Sequence, residues 1–169
     1  MSEEESNIYK NLLITESIFL KPKNINTNID TSVLEQLKRM VEGKCIKYGY
    51  VMPNSIKIIS RSLGRLNNAN FEAITTYEIK YSADICNPRV GQIIICKVIN
   101  INKSQTICYI DNPETSPLEI YLEKSTHIGN VDFMNLKLGD IIKVKIAGST
   151  FKFNDKQIIC IAQFLGQIH

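Results

Sequence analysis

The side chains best able to do chemistry in this chain are aromatic and basic. Tyr109 and Tyr121 stand in apolar stretches that read as short strands, with Lys103, Lys124, Lys143 and Lys145 as possible neighbours. Rings on adjacent strands can stack on unpaired bases while ammonium groups follow phosphates, each stacked base contributing about 1–3 kcal/mol. Two rings and a few lysines amount to weak or moderate affinity for a single strand. The same tyrosines fit a core or a barrel rim equally well. Lys143 and Lys145 alternate with Ile142, Val144 and Ile146, which also suits the solvated face of an amphipathic strand. Phe151 and Phe153 flank Lys152 beside a predicted turn, either as a finger for nucleic acid or as a hairpin packing one ring inward.

Catalytic patterns are missing. His127 and His169 are the only histidines, and no H-x-x-x-H pair, nucleophile elbow or phosphate-binding loop occurs. Asp84 near Cys86 is a strand-end carboxylate beside an inert thiol. The five cysteines, Cys45, Cys86, Cys96, Cys108 and Cys160, are widely spaced with no C-x-x-C. That pattern predicts buried, reduced thiols in a reducing compartment, not a zinc site or a disulfide framework. No catalytic residue, metal or cofactor is expected.

The formal net charge is +3 over 169 residues, and neither half is a polyelectrolyte. Charge alone therefore does not predict tight nonspecific binding to duplex DNA. No apolar run has the length of a membrane span, and Glu3, Glu4 and Glu5 stand where a signal peptide needs positive charge, so a soluble intracellular protein is expected.

The elements that must position these residues fall into two groups. An acidic tail over residues 1–7 is predicted to be disordered. Ile8 to Leu20 reads as a strand with Leu13, Ile18, Phe19 and Leu20 as candidate inward positions, closed by Pro22 and a loop to Asn28. Asp30 or Ser32 is a candidate helix cap, Ser32 and Glu35 having capping-box spacing. Val33, Leu37, Met40 and Val41 share one helical side, and Gly43 suits a left-handed helix end. Strand patterns follow over Cys45 to Val51 and Ser55 to Ile59, as two strands with a turn at Pro53-Asn54 or one with a bulge. Leu63 to Asn70 reads as a polar loop. Phe71 to Ile85 alternates most cleanly, with Tyr77, Ile79, Tyr81 and Ala83 in phase.

Asn87-Pro88 disfavours helix and Gly91 relaxes the backbone, so a joint is placed there, giving domains over 8–87 and 88–169. After it come strands over Gln92 to Asn102, Gln105 to Ile110 and Leu118 to Leu122. A helical turn within Val131 to Leu138 is followed by strands over Ile141 to Ile146 and Gln157 to Leu165, with a hairpin tip at Asn154-Asp155. The expected fold is thus an α+β amino-terminal domain (strand, helix, antiparallel strands) followed by an all-β OB-fold barrel.

An ordered series of short motifs adds to this reading. Val41-Glu42-Gly43-Lys44-Cys45, Tyr48-Gly49-Tyr50-Val51, Gly64-Arg65-Leu66, Tyr81-Ser82-Ala83 and Asn87-Pro88-Arg89-Val90-Gly91 follow one another at matching spacing between about Tyr9 and Val98. In this order they resemble the stalk subunit of multisubunit DNA-dependent RNA polymerases, the family that comprises the seventh subunit of RNA polymerase II and its archaeal counterpart.

The resemblance implies a non-catalytic subunit that docks on the polymerase core near the clamp, pairs with a second, smaller stalk subunit and guides exiting RNA with an S1-like barrel. It places the docking tip at Arg61, Gly64, Arg65 and Leu66, and a nuclear location, or the cytoplasm or virion if the host is a large DNA virus. Two departures stand out. Asn67-Asn68-Ala69-Asn70 replaces a turn with Gly and Pro, and Ser104-Gln105-Thr106 replaces a glycine-containing segment between the first two barrel strands, which bears on RNA binding. The alternative is a free-standing OB-fold protein that binds single-stranded RNA in translation or RNA handling.

Overall fold

The computed structural model describes residues 5–25, 28–67 and 73–169. The chain forms two compact units. One comprises Asn11–Gly43 and Val51–Ile85; the other comprises the segment ending at Lys10, Lys44–Tyr50 and Cys86–His169.

In the first unit a long strand β1 (Tyr9–Leu20) leads through one 3₁₀ turn at Pro22–Asn24 to the helix α1 (Ile29–Val41). Strand β1 buries Ile14, Ile18 and Leu20 while Leu13 and Phe19 face outward. The inward set expected from the sequence mixed both phases, and a pleated strand can bury only one. The helix cap is Asn28, whose side-chain carbonyl accepts the Asp30 N–H at 3.0 Å. Ser32 lies inside the helix instead, buried, with its hydroxyl donating to the Asn28 carbonyl at 3.2 Å. Neither expected cap is used, because the helix begins at Ile29, one residue after Asn28. Val33, Leu37 and Val41 are buried, each contributing about 1.5–3 kcal/mol, whereas Met40 is only half-buried. Gly43 ends the helix at φ 69°, in the left-handed region.

Counting on from α1, β2 (Cys45–Ile46) and β3 (Gly49–Val51) form a tight antiparallel hairpin pairing Cys45 with Tyr50 and Ile46 with Gly49. A turn with Asn54 at φ 61° separates β3 from β4 (Lys57–Arg61), so the Pro53-Asn54 interruption divides two strands. Both β4 and the short β5 (Arg65–Asn67) pair with β6 (Ile74–Cys86). Strand β5 falls inside the expected polar loop. Backbone pairing of Arg65 with Thr76 and Leu66 with Thr75 requires no apolar alternation, which is why the local pattern does not announce it. On β6, Tyr77, Ile79, Tyr81, Ala83 and Ile85 are all buried, as the period of two predicted.

The second unit is built on a closed barrel of five strands, β7 (Ile93–Ile101), β8 (Gln105–Tyr109), β9 (Leu118–Glu123), β10 (Ile141–Thr150) and β11 (Ile158–Ile168). Their order around the barrel is β10-β11-β9-β8-β7, with β9 and β11 parallel and the other pairs antiparallel. A one-turn helix α2 (Val131–Met134) lies between the third and fourth strands. This is an OB-like barrel, and its interior follows the alternation: Val98, Cys108, Ile120, Cys160, Ile142, Val144 and Ile146 are buried in it. The β10–β11 turn is held by Asp155, whose carboxylate accepts the Lys152 N–H at 2.7 Å, with Asn154 at φ 72°. Its backbone also meets β2, where Cys45 N–H donates to the Asp155 carbonyl at 2.8 Å and Asn154 N–H donates to the Cys45 carbonyl at 2.9 Å. Phe151 is half-buried and Phe153 exposed on that turn.

Candidate functional site

The strand register carries Tyr109 and Tyr121 to the outside of the barrel. Across β7, β8, β9 and β11, Lys97, Tyr109, Glu119 and Ile159 stand in one transverse row; Asn100, Ile107, Tyr121 and Ile161 form the next. Their chain neighbours Val98, Cys108, Ile120 and Cys160 point inward, so these two rows make one outer face. Ile159 and Ile161 are exposed, and both tyrosines are half-buried. A bulge in β7 between Val98 and Asn100 separates the rows on that side.

Glu119 is the centre of the face. It accepts the Tyr109 hydroxyl at 3.1 Å, and Tyr121 stands two residues further along the same face of β9. Burial and then the Glu119 carboxylate push the Tyr121 phenol up to about 12 and raise Tyr109 for the same reasons. The Tyr109 phenol is thus a donor fixed to that carboxylate.

The four lysines separate into two places. Lys103 sits in the β7–β8 turn, which Asn102 closes: its side-chain oxygen accepts the N–H groups of Ser104 at 3.0 Å and Gln105 at 2.9 Å. The Asn102 side chain thus closes this turn without a glycine. Lys124 follows β9, and its N–H donates to the Ser104 carbonyl at 3.0 Å, so Lys103 and Lys124 share one end of the barrel. Lys143 and Lys145 lie elsewhere, on β10 opposite Ile95 and Ile93 of β7, two strands from either tyrosine. The structure instead brings Lys97 beside Tyr109. Its sequence signal was only its outward parity on β7; the register that makes it a neighbour is not written in the local pattern.

At the Lys124 end a pocket of about 390 Å³ opens beside α2, lined by Ile101, Thr106, Ile128, Phe133, Met134 and Leu136 among others. His127 forms part of its wall, buried and stacked on Phe133 with ring centroids 4.3 Å apart. Among the described residues, no three His, Cys, Asp or Glu side chains converge as metal ligands, and no helix is long and apolar enough to cross a membrane.

The residues expected at the docking tip lie in the other unit. Arg61 forms an ion pair with Asp30 in the first turn of α1 and lies 5.8 Å from the Tyr77 ring centroid. Gly64 packs so closely on β6 that an added Cβ would sit 2.6 Å from Thr75 Cγ2 and 2.9 Å from the Tyr77 ring. Arg65 and Leu66 are exposed, and Leu63 beside them is 86% exposed. The loop therefore divides into an inner pair, Arg61 and Gly64, and an outer set, Leu63, Arg65 and Leu66. Asn68, Ala69 and Asn70 of the departing turn, Phe71, and residues 1–4 of the acidic tail lie outside the described residues.

No protein-family model matches the chain. It is similar to a protein of Acanthamoeba polyphaga mimivirus that carries the provisional name DNA-directed RNA polymerase subunit L376. The two are 26% identical over 170 aligned positions, covering 95% of this chain and 84% of that protein.

Proposed function

We propose that this chain is a non-catalytic stalk subunit of a DNA-dependent RNA polymerase, of the kind encoded by a large DNA virus. The observation that carries the polymerase-subunit part of the reading is the similarity to the mimivirus protein, which covers 95% of this chain, both units included, and 84% of that protein. Two features of the molecule support the finer assignment. The outer tip residues Leu63, Arg65 and Leu66 give an exposed apolar and cationic group, the composition favoured for anchoring in a partner's pocket. The OB-like barrel offers aromatic rings on an outer face, which suits weak contact with a single strand leaving the enzyme.

In this reading the first unit seats on the core near the clamp and meets a smaller stalk partner, while the barrel guides transcript. The viral relative favours a cytoplasmic or virion location over the nucleus. A tagged chain expressed during infection should recover the polymerase core in stoichiometric amount, and Arg65→Glu should abolish that recovery while the variant stays folded. Recovery of ribosomal or free RNA without core subunits would instead favour a free-standing RNA-binding protein.

A further inference from the structure

We propose that Glu119, which accepts the Tyr109 hydroxyl and stands two residues before Tyr121 on the same face, makes the barrel face selective for guanine in single-stranded RNA by accepting from the N1–H and the 2-amino group of that base. The inference rests on the reading that the barrel contacts transcript, and it names what that contact prefers.

A face that bound RNA only by charge and stacking would place cations or neutral groups at its centre. Here the central group is an anion, with Tyr109 beside it in the same row and Tyr121 in the next. A phosphate cannot approach that point favourably, so the backbone is turned to the side, where Lys97 stands next to Tyr109. What faces the carboxylate must then be a donor, and in a single strand the donors are on base edges.

A carboxylate offers about four lone-pair directions, and the Tyr109 hydroxyl occupies one of them. The remaining capacity fits two parallel N–H donors. Guanine presents that pair on its Watson–Crick edge. Uracil offers one N–H between two carbonyls, and the amino groups of adenine and cytosine each stand beside a ring nitrogen that is an acceptor and would meet the carboxylate repulsively. The Tyr109 hydroxyl, committed to Glu119, holds the carboxylate in place beside the ring edge that a base would lie against.

The test uses the full chain and three decamers at one ionic strength: all-uridine, the same with a single central guanosine, and the same with inosine, which keeps N1–H and lacks the 2-amino group. The guanosine strand should bind roughly tenfold more tightly than all-uridine, with inosine between them. Glu119→Gln should bring the three affinities together; the comparison within the unmodified chain does not depend on how the variant folds. Equal affinity of the unmodified chain for all three strands overturns the inference while leaving RNA contact intact, as does a guanosine preference that survives Glu119→Gln. Failure to bind any of the strands overturns the RNA reading itself.

Discussion

His127 accepts the backbone N–H of Phe164 through Nε2 at 2.9 Å while its Nδ1 lies 2.6 Å from the Glu123 carbonyl oxygen. A carbonyl can only accept, so the proton is on Nδ1, and Nε2 is the free acceptor that Phe164 needs. One neutral ring thereby ties the end of β9 to β11 and stacks on Phe133 of α2. His127, around which the sequence shows no catalytic pattern, is a strut of the barrel. His127→Phe should keep the stacking but leave the Phe164 N–H without its acceptor in a buried place, at about 1–3 kcal/mol. Urea unfolding of the two chains measures this, and an unchanged midpoint would show that the bond carries no weight.

Gly64 and its neighbour Arg65 should separate stability from docking. Gly64→Ala drives a methyl into Thr75 and Tyr77, and the expected cost of such overpacking is about 1–3 kcal/mol. Arg65 is exposed, and its replacement should leave the melting temperature within error while weakening recovery of polymerase subunits. Arg61→Ala, which removes an exposed ion pair with Asp30, should cost no more than about 1 kcal/mol. A melting temperature lowered as far by Arg65→Ala as by Gly64→Ala would contradict this division of the loop.

What could be read in advance was whatever depends on one strand or helix alone. The alternation of Tyr77, Ile79, Tyr81 and Ala83 set the buried face of β6, and five short strands with a turn of helix after the third gave the barrel. What could not be read depended on two elements at once. Tyr109 and Tyr121 were singled out by residue type, yet Glu119, opposite Tyr109 on the face, lies in an ordinary alternating strand and acquires meaning only through the β8–β9 register. Lys143 and Lys145 looked like neighbours because they are basic and outward-facing; barrel closure puts β10 two strands from either ring. Similarly, Asn28 caps α1 by a side-chain bond that competing candidates two and four residues on also matched in type.

The placement of lysines leads to a prediction about salt. If transcript crosses the Tyr109–Tyr121 face, Lys97 contributes a phosphate contact and Lys143 and Lys145 do not. Lys97→Ala should then weaken binding of an all-uridine strand and lower the slope of log affinity against log salt by about 0.7, the single-strand value for one released counterion. The double replacement of Lys143 and Lys145 by Ala should leave that slope unchanged. A slope reduced by the double variant and not by Lys97→Ala would move the RNA path to the β7–β10 side of the barrel.

Buried thiols and phenols set the response to alkaline pH. Burial pushes Cys160 up to about 12, and burial followed by the nearby Asp155 carboxylate pushes Cys45 up to about 12. Cys86 is raised by burial and then by Cys160 and Cys45, and Cys96 by its hydrogen bond with Cys108 and then by burial. A free thiol in an unfolded chain titrates near 8.5, so above that pH the unfolded state loses protons that the folded state keeps. The folded chain then binds more protons, stability falls as pH rises, and the fall due to Cys45 and Cys160 continues until they titrate near 12. Below about 8.5 both states are protonated and these groups contribute no slope. Urea midpoints under reducing conditions should therefore be flat in this respect between pH 7 and 8 and decline steadily from pH 9 to 11. Replacing Cys45 and Cys160 together by Ala should flatten the decline, since those two thiols no longer release protons on unfolding. A midpoint in the parent chain that holds constant up to pH 11 would mean that the thiols are reached by solvent in the folded state, and with it the packed interior described for the barrel would be wrong.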